Sequence, residues 1–485
     1  MAYNRSCTDI VHYVSDLHLK YINIKQLIGL IAILLFLSSC SLTKRYHAPS
    51  IDTAGLFRGE NPTDTTTIAH IPWRTFFRDP DLQALIKEGL DANFDLRIAY
   101  TQIQQAEANL RITRSAYFPT VALAGQVTHT RTSNGENGKD VLGYYSTDYS
   151  LGITSTWEAD IWGKLNRQNR SQYAQFLNSY AYRDLIRTSL IANIATSYYS
   201  LLALDEQLRI TKETILLLRE STETMQVMME QGMLNAAAVE QSKALYYSTV
   251  VTIPDLESSI RQTENALSVL IGRKPGPINR STLAVQQPDS SMHHGIPMQM
   301  LAYRPDVHQA ELAFRSAFEL TQTARAAFYP SVTLGTGSMF GYSATTLSSF
   351  FKPENLILNL IGGITQPIFA QGKLKGNLKI AKAQQEEALL TYEKTVLSAG
   401  QEVSDILFSF QSSLSKNSTR DKQLDALETS VYFTQELLKA GEANYTEVLS
   451  AQQNLLSAQL SQVNDHLEQL QYNVNLYKAL GGGIQ

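Results

Sequence analysis

An eight-residue stretch occurs twice, and no other feature limits the possible folds of this chain as much. Arg114-Ser115-Ala116-Tyr117-Phe118-Pro119-Thr120-Val121 returns 211 residues later as Arg325-Ala326-Ala327-Phe328-Tyr329-Pro330-Ser331-Val332. Each copy closes a polar, Ala-rich helical run with an aromatic pair and a Pro, then opens an alternating, strand-like run. Pro ends the helix because the residue before it is pushed out of the α region. The segments downstream of the two copies also match, so the chain reads as a tandem duplication.

With 485 residues and a net charge of -4, the chain is too weakly charged for a nucleic-acid partner or for disorder. Its two cysteines, Cys7 and Cys40, build no disulfide framework. Leu27 to Leu37 is an unbroken apolar run of 11 residues, preceded by Lys20 and Lys25. That is too short to span a bilayer and fits a signal h-region. Residues 1–24, with Asp9 and Asp16, do not match a basic n-region. The run ends in Leu37-Ser38-Ser39-Cys40, which resembles a bacterial lipobox, so Cys40 is expected to carry lipid and become the mature N-terminus. No apolar run of 18 residues lies beyond Cys40. If the mature chain crosses a membrane, it must do so with β-strands.

The expected organisation is a signal peptide over 1–39, a lipid-anchored linker over 40–75, a first repeat over 76–277, a connector over 278–302 and a second repeat over 303–485. In the first repeat, Leu82, Leu85, Ile86, Leu90, Leu96, Ile103 and Leu110 recur at helical steps up to Pro119. Val121, Leu123 and Val127 then alternate with small or polar residues. After a polar loop, Tyr145, Thr147, Tyr149, Leu151, Ile153, Ser155 and Trp157 alternate with Ser146, Asp148, Ser150, Gly152, Thr154 and Thr156. Strands of about 10–13 residues suit a tilted membrane span, with the small polar face lining water. Asp160 to Gln231 lacks Pro and predicts one helix of about 105 Å, long enough to require coiled-coil-like packing. Gly232 breaks it, and a return helix runs to about Ile271 with a kink at Pro254. The second repeat predicts strands over Val332–Tyr342 and Leu356–Gln366. After them come a second long helix over Gln371–Ala440, a break at Gly441 and a return helix from Thr446 to Leu480.

Several tracts, in this order and spacing, resemble the outer-membrane efflux factors, the TolC-like channel-tunnels. They include Phe77-Arg78-Asp79-Pro80-Asp81-Leu82, Tyr117-Phe118-Pro119 and Trp157-Glu158-Ala159-Asp160-Ile161-Trp162-Gly163-Lys164. Ile253-Pro254-Asp255-Leu256, Glu264-Asn265-Ala266-Leu267, Tyr303-Arg304-Pro305-Asp306-Val307, Pro367-Ile368-Phe369 and Leu480-Gly481-Gly482-Gly483 continue the series. The lipobox points to the lipoprotein branch that works with resistance-nodulation-division pumps. The resemblance implies a mainly α fold with a membrane β-barrel part: four strands and long coiled helices per protomer, three protomers closing a twelve-stranded barrel above a periplasmic tunnel. It also implies an outer-membrane location, a periplasmic adaptor and an inner-membrane transporter as partners, and no cofactor. From the residues alone, four strands cannot close a barrel, so two or three copies both remain open.

No catalytic constellation, phosphate loop or metal motif is present; His293-His294 has no further ligands at useful spacing. The expected chemistry is that of a gate. Gly232 and Gly441 should form the turns at the tunnel's far end. There the resemblance places an acidic ring at Glu447, with Ser450 where relatives have a second acid and Ala443 where they have a base. Ala236-Ala237-Ala238 replaces polar latch residues, so the latch is expected to be weaker, or built from different residues such as Asn235, Gln241 and Asn444. The helix-to-barrel boundary is expected at Pro119 and Pro330, with Tyr117, Phe118, Phe328 and Tyr329 at a bilayer interface. Two rival readings are the duct of a type I protein-secretion system and a periplasmic coiled-coil scaffold without a pore.

Overall fold

The computed structural model describes residues 44–50, 71–132, 144–288 and 304–484. The signal run, Cys40 and His293-His294 lie outside them. The duplication is explicit in the order of elements. Helix α1 (Pro80–Ala92) precedes α2 (Phe94–Ser115), β1 (Thr120–Thr132), β2 (Tyr144–Ala159), α3 (Lys164–Glu230), α4 (Ala236–Val250) and α5 (Thr252–Leu270). The second repeat is α6 (Pro305–Ala326), β3 (Ser331–Ala344), β4 (Leu356–Thr365), α7 (Lys373–Lys439) and α8 (Tyr445–Ala479). Helices α3 and α7 have 67 residues each, about 100 Å at the α-helical rise.

One departure from strict repetition has a visible cause. Helix α8 runs unbroken for 35 residues, whereas its counterpart is split into α4 and α5 at Val251. Pro254 sits in the first turn of α5, where its missing N–H costs nothing. The residue 209 positions later is Val463, buried within α8. The kink expected at Pro254 therefore lies three residues before it.

The strands form one sheet in the order β1-β2-β3-β4, all antiparallel, within a unit made from Tyr117–Arg167 and Leu320–Leu378. Cross-strand partners share a face, and the register sorts the side chains. One face carries Val121, Leu123 and Val127, then Tyr149, Leu151 and Ile153, then Leu334, Phe340 and Tyr342, then Leu356, Leu358, Leu360 and Ile364. The opposite face carries Ala122, Ala124 and Gln126, then Ser150, Gly152 and Thr154, then Gly341 and Ser343. Strand β4 departs from this pattern: Ile357 and Ile361 lie on the otherwise small and polar face, opposite Gly341 and Gly335. Gly152 and Gly341 face each other so closely that a Cβ on Gly341 would lie 2.3 Å from the Cα of Gly152. Only glycine permits that approach where the two repeats meet. Among the described residues β1 and β4 each pair on one side only, so both are open edges.

The second unit is helical and takes in Ala48–Ala116, Gln168–Glu319 and Lys379–Gln485. Its main core joins Trp73, Phe77, Leu82 and Ile86 to Ile191, Ile194, Tyr198 and Leu201 of α3, Ile271, and Leu470, Val474 and Tyr477 of α8. Alanines at buried positions of α3, among them Ala174, Ala181, Ala192 and Ala195, let neighbouring helices approach closely. No helix among the described residues is long and apolar enough to cross a membrane.

Asp79 ties this core together. Its Oδ1 caps α1, accepting from the N–H groups of Asp81 at 2.8 Å and Leu82 at 3.2 Å. Its Oδ2 accepts from Tyr198 Oη at 2.9 Å, Gln286 Nε2 at 2.6 Å and Ser281 Oγ. The sequence reads 278–302 as a polar connector, yet its described part is packed: Ile278, Leu283 and Gln286 are buried. Three inward-facing side chains in an otherwise polar tract leave no periodic signal. Arg304 plays the matching part in the second repeat, donating to the Ala479 carbonyl at 2.8 Å, to Asp306, and to Glu402 at 2.7 Å.

Burial pushes the Asp79 carboxyl up, but hydrogen bonds from Ser281, Tyr198, the Leu82 N–H and Gln286 outweigh it and hold the group below its ordinary value. A depressed folded-state value makes its stabilisation complete at neutral pH and lost as pH falls through that value. Asp79→Asn is therefore expected to cost about 2–3 kcal/mol at pH 7. The gap to wild type should shrink on acidification below about pH 4, as denaturant unfolding at both pH values would show.

Candidate functional site

The turns at Gly232 and Gly441 share one construction. Both glycines adopt left-handed backbone, with φ of 77° and 78°. Met233 N–H donates to the Met228 carbonyl at 2.9 Å, and Gly232 N–H to that of Met229 at 2.9 Å. Glu442 and Gly441 repeat the pair on Leu437 and Leu438 at 2.9 and 3.0 Å. This double bond pattern satisfies the last carbonyls of α3 and α7 and requires a residue without Cβ strain. Three residues on, Asn235 caps α4 by accepting from the Ala238 N–H at 3.0 Å, and Asn444 caps α8 by accepting from the Thr446 N–H at 3.2 Å. Each side-chain oxygen is thus engaged within its own turn.

The two turns are built on one core. Met225, Met228, Val239, Leu438 and Val448 are buried together, with Met229, Leu234, Tyr445 and Leu449 packed around them. A hydroxyl pair, Thr222 with Ser242 at 2.7 Å, links α3 to α4 just above. The turns are not equivalent on their outer surface. Glu447 and Ser450 are exposed on α8, one turn apart, with Glu447 in the first helical turn. A carboxylate there is favoured by the positive end of the helix. The residues 209 positions earlier are Ala238, which is buried, and Gln241. Of these four positions only Glu447 is a carboxylate; Glu240, between Ala238 and Gln241 on α4, is also exposed but is paired with Lys243 at 2.8 Å.

At the helix-to-strand steps, Pro119 and Pro330 each come after the end of a helix and precede a strand. The indole N–H of Trp157 donates to the Tyr117 carbonyl at 2.8 Å, and that of Trp162 to the Pro330 carbonyl at 2.7 Å. Gln366 Nε2 donates to the Phe328 carbonyl at 3.0 Å, and the Trp162 ring lies 5.2 Å from Tyr329. These donors satisfy carbonyls that neither helix nor sheet takes up. Tyr117, Phe118 and Tyr329 are exposed, and Phe328 is half-buried. Ile161, Ile368 at 98% and Phe369 at 84% add to the exposed apolar surface of this unit. The tryptophan clamps and the Ile368-Phe369 pair add to the six boundary residues expected from the sequence. Their signal was present in the tracts around Trp157 and Pro367.

Among the described residues no group of His, Cys, Asp and Glu is placed to hold a metal ion. What remains is a sheet with one apolar face and two open edges, and a helical unit with paired turns. A family model for outer membrane efflux proteins matches residues 85–273 and 296–482, one segment in each repeat. The chain belongs to the outer membrane efflux protein family. Among its relatives are the probable outer membrane lipoprotein SilC of Salmonella typhimurium and the antibiotic efflux pump outer membrane protein ArpC of Pseudomonas putida. SilC is 29% identical, over 94% of this chain and 98% of its own. ArpC is 31% identical, over 95% and 96%. The crystal structure of CusC superposes with a TM-score of 0.80 at 28% identity, covering 91% of this chain and all of the CusC chain. Members of this family are outer-membrane channels of efflux pumps and not enzymes, which sets aside the pore-free scaffold.

Asn444→Ala removes a helix cap and is expected to cost about 1 kcal/mol, and Gly441→Ala about 1–2 kcal/mol through left-handed strain. Thermal unfolding of each variant checks both, with Asn444→Asp expected to retain most of the stability.

Proposed function

We propose that this efflux channel works as a homotrimer in the outer membrane, anchored by lipid on Cys40, with its helices extending into the periplasm. There it would join a periplasmic adaptor and an inner-membrane transporter of the resistance-nodulation-division type, which supplies the energy. Antibiotics, cations or other small toxic compounds, the classes named for its relatives, would leave through it passively.

The observation that carries this reading is the open four-stranded sheet. An apolar face of Val, Leu, Ile and aromatic residues fits lipid, and a face of Ala, Ser, Thr and Gly fits water. Lipid tolerates no unpaired strand edge, so β1 of one copy must meet β4 of another. Three copies supply twelve strands, an even number within the range of closed bacterial barrels. The exposed aromatic and aliphatic residues at the helix-to-strand steps suit the inner interface of the bilayer. The turns at Gly232 and Gly441 would form the narrow periplasmic end, with Asn235, Asn444 and Ser450 around it. Three copies of Glu447 would place a ring of carboxylates there, attracting cations and letting divalent ions block the pore.

In planar bilayers, Glu447→Gln is expected to lower cation selectivity and to weaken divalent block by about tenfold. Wild-type selectivity and block in that variant would show that Glu447 lies outside the constriction.

A further inference from the structure

We propose that the loop between β3 and β4, residues 345–355, seats in the outer leaflet of the membrane as an apolar wedge. The inference rests on the reading that the apolar face of the sheet meets lipid.

The two hairpins of the duplication differ in this loop. The first, residues 133–143, is polar from Ser133 to Asp140, with Val141 and Leu142 its only large apolar residues and no aromatic. The second carries Leu347-Ser348-Ser349-Phe350-Phe351-Lys352. It is also a built loop. Two short 3-10 turns, Leu347–Ser349 and Pro353–Asn355, are held by Asn355 Nδ2 donating to the Ser349 carbonyl at 2.7 Å. Lys352 N–H donates to the same carbonyl at 3.0 Å.

The direction of the loop decides its partner. The Tyr342 ring lies 6.3 Å from Phe350 and 5.6 Å from Phe351, and those two rings meet edge-on at 5.0 Å. Tyr342 is paired with Leu151 on one side and Leu356 on the other, which puts it on the apolar face. The aromatic trio therefore continues the apolar face past the strand ends. Phe350 is buried, whereas Leu347 at 68% and Phe351 at 71% project outward. Two such side chains on an ordered loop, continuous with an apolar band, fit the interfacial zone of a bilayer. Lys352 comes next, ion-paired to Glu354 at 3.8 Å with both groups exposed. Its ammonium suits the phosphate level of the lipid headgroups.

The test uses the full-length protein in vesicles of phosphatidylethanolamine and phosphatidylglycerol. Phe351→Cys and Leu358→Cys each carry a bimane label, with the signal from the labelled parent chain subtracted. Both side chains are exposed in a single protomer, so both positions accept a label. A nitroxide deep in the acyl chains should quench the Leu358 label. A nitroxide near the headgroup should quench the Phe351 label more than the deep one does, and iodide should leave it bright. If the Leu358 label responds this way while iodide quenches the Phe351 label, the loop lies in water and the proposal fails. A Phe351 label shielded from iodide and from both nitroxides would mean a protein contact, at the pore mouth or with another copy, and would also overturn it. A Leu358 label blind to the deep nitroxide would overturn the membrane reading itself, and the wedge with it.

Discussion

The structure depends on the hydrogen-bonding demand of the backbone. A helix answers that demand within itself, and a strand answers it only through neighbours. This chain changes from one solution to the other four times, twice entering strands and twice leaving them. Pro119 and Pro330 mark the entries, where the helix can no longer continue. The carbonyls stranded at those steps are taken by indole N–H groups of Trp157 and Trp162 and by the Gln366 amide. The demand that remains is at the two sheet edges, and no described strand of a single copy meets it. In water such edges are a liability; in lipid they are not tolerated. In the proposed trimer, assembly would be part of how the fold satisfies its own hydrogen bonds.

Helix ends are treated with the same economy. The glycines after α3, α5, α7 and α8 all take positive φ and close the last turn by the same pair of backbone bonds. Two of these ends become tight turns, with Asn235 and Asn444 starting the return helices. The turns share a Met-rich core, and flexible Met side chains fill irregular space without demanding one rigid packing. A turn with a rigid backbone on an adaptable core is well suited to a gate, where small re-packings separate two states.

Much of this was legible because it rests on local rules. The repeated aromatic-Pro step, the alternation over Tyr145 to Trp157, and the glycine breaks at 232 and 441 located the elements to within a few residues. The long helices begin later than expected. Gly163 and Gly372 take left-handed turns first, and the Asp160 carboxylate reaches across to cap α3 at Leu165 and Asn166. What was not legible depends on pairing across long separations. Asp79 gathers groups about 120 to 207 residues away, and the buried side chains of 278–288 show no period. The pairing of Gly152 with Gly341 is evident only once β2 and β3 are known to be neighbours. Asn235 and Asn444, expected as latch residues, have a cap to serve, which composition alone does not reveal.

Open sheet edges that are satisfied by other copies of the same chain in a closed barrel make a definite demand on assembly and conductance together. Native mass measurement of the detergent-extracted, unheated protein, coupled to bilayer recording of the same fraction, tests it most directly. A single species of three chains that conducts ions, and that falls to one chain and loses conductance on heating, is expected. A monomer or dimer that conducts, or a trimer that leaves the bilayer electrically silent, would contradict it.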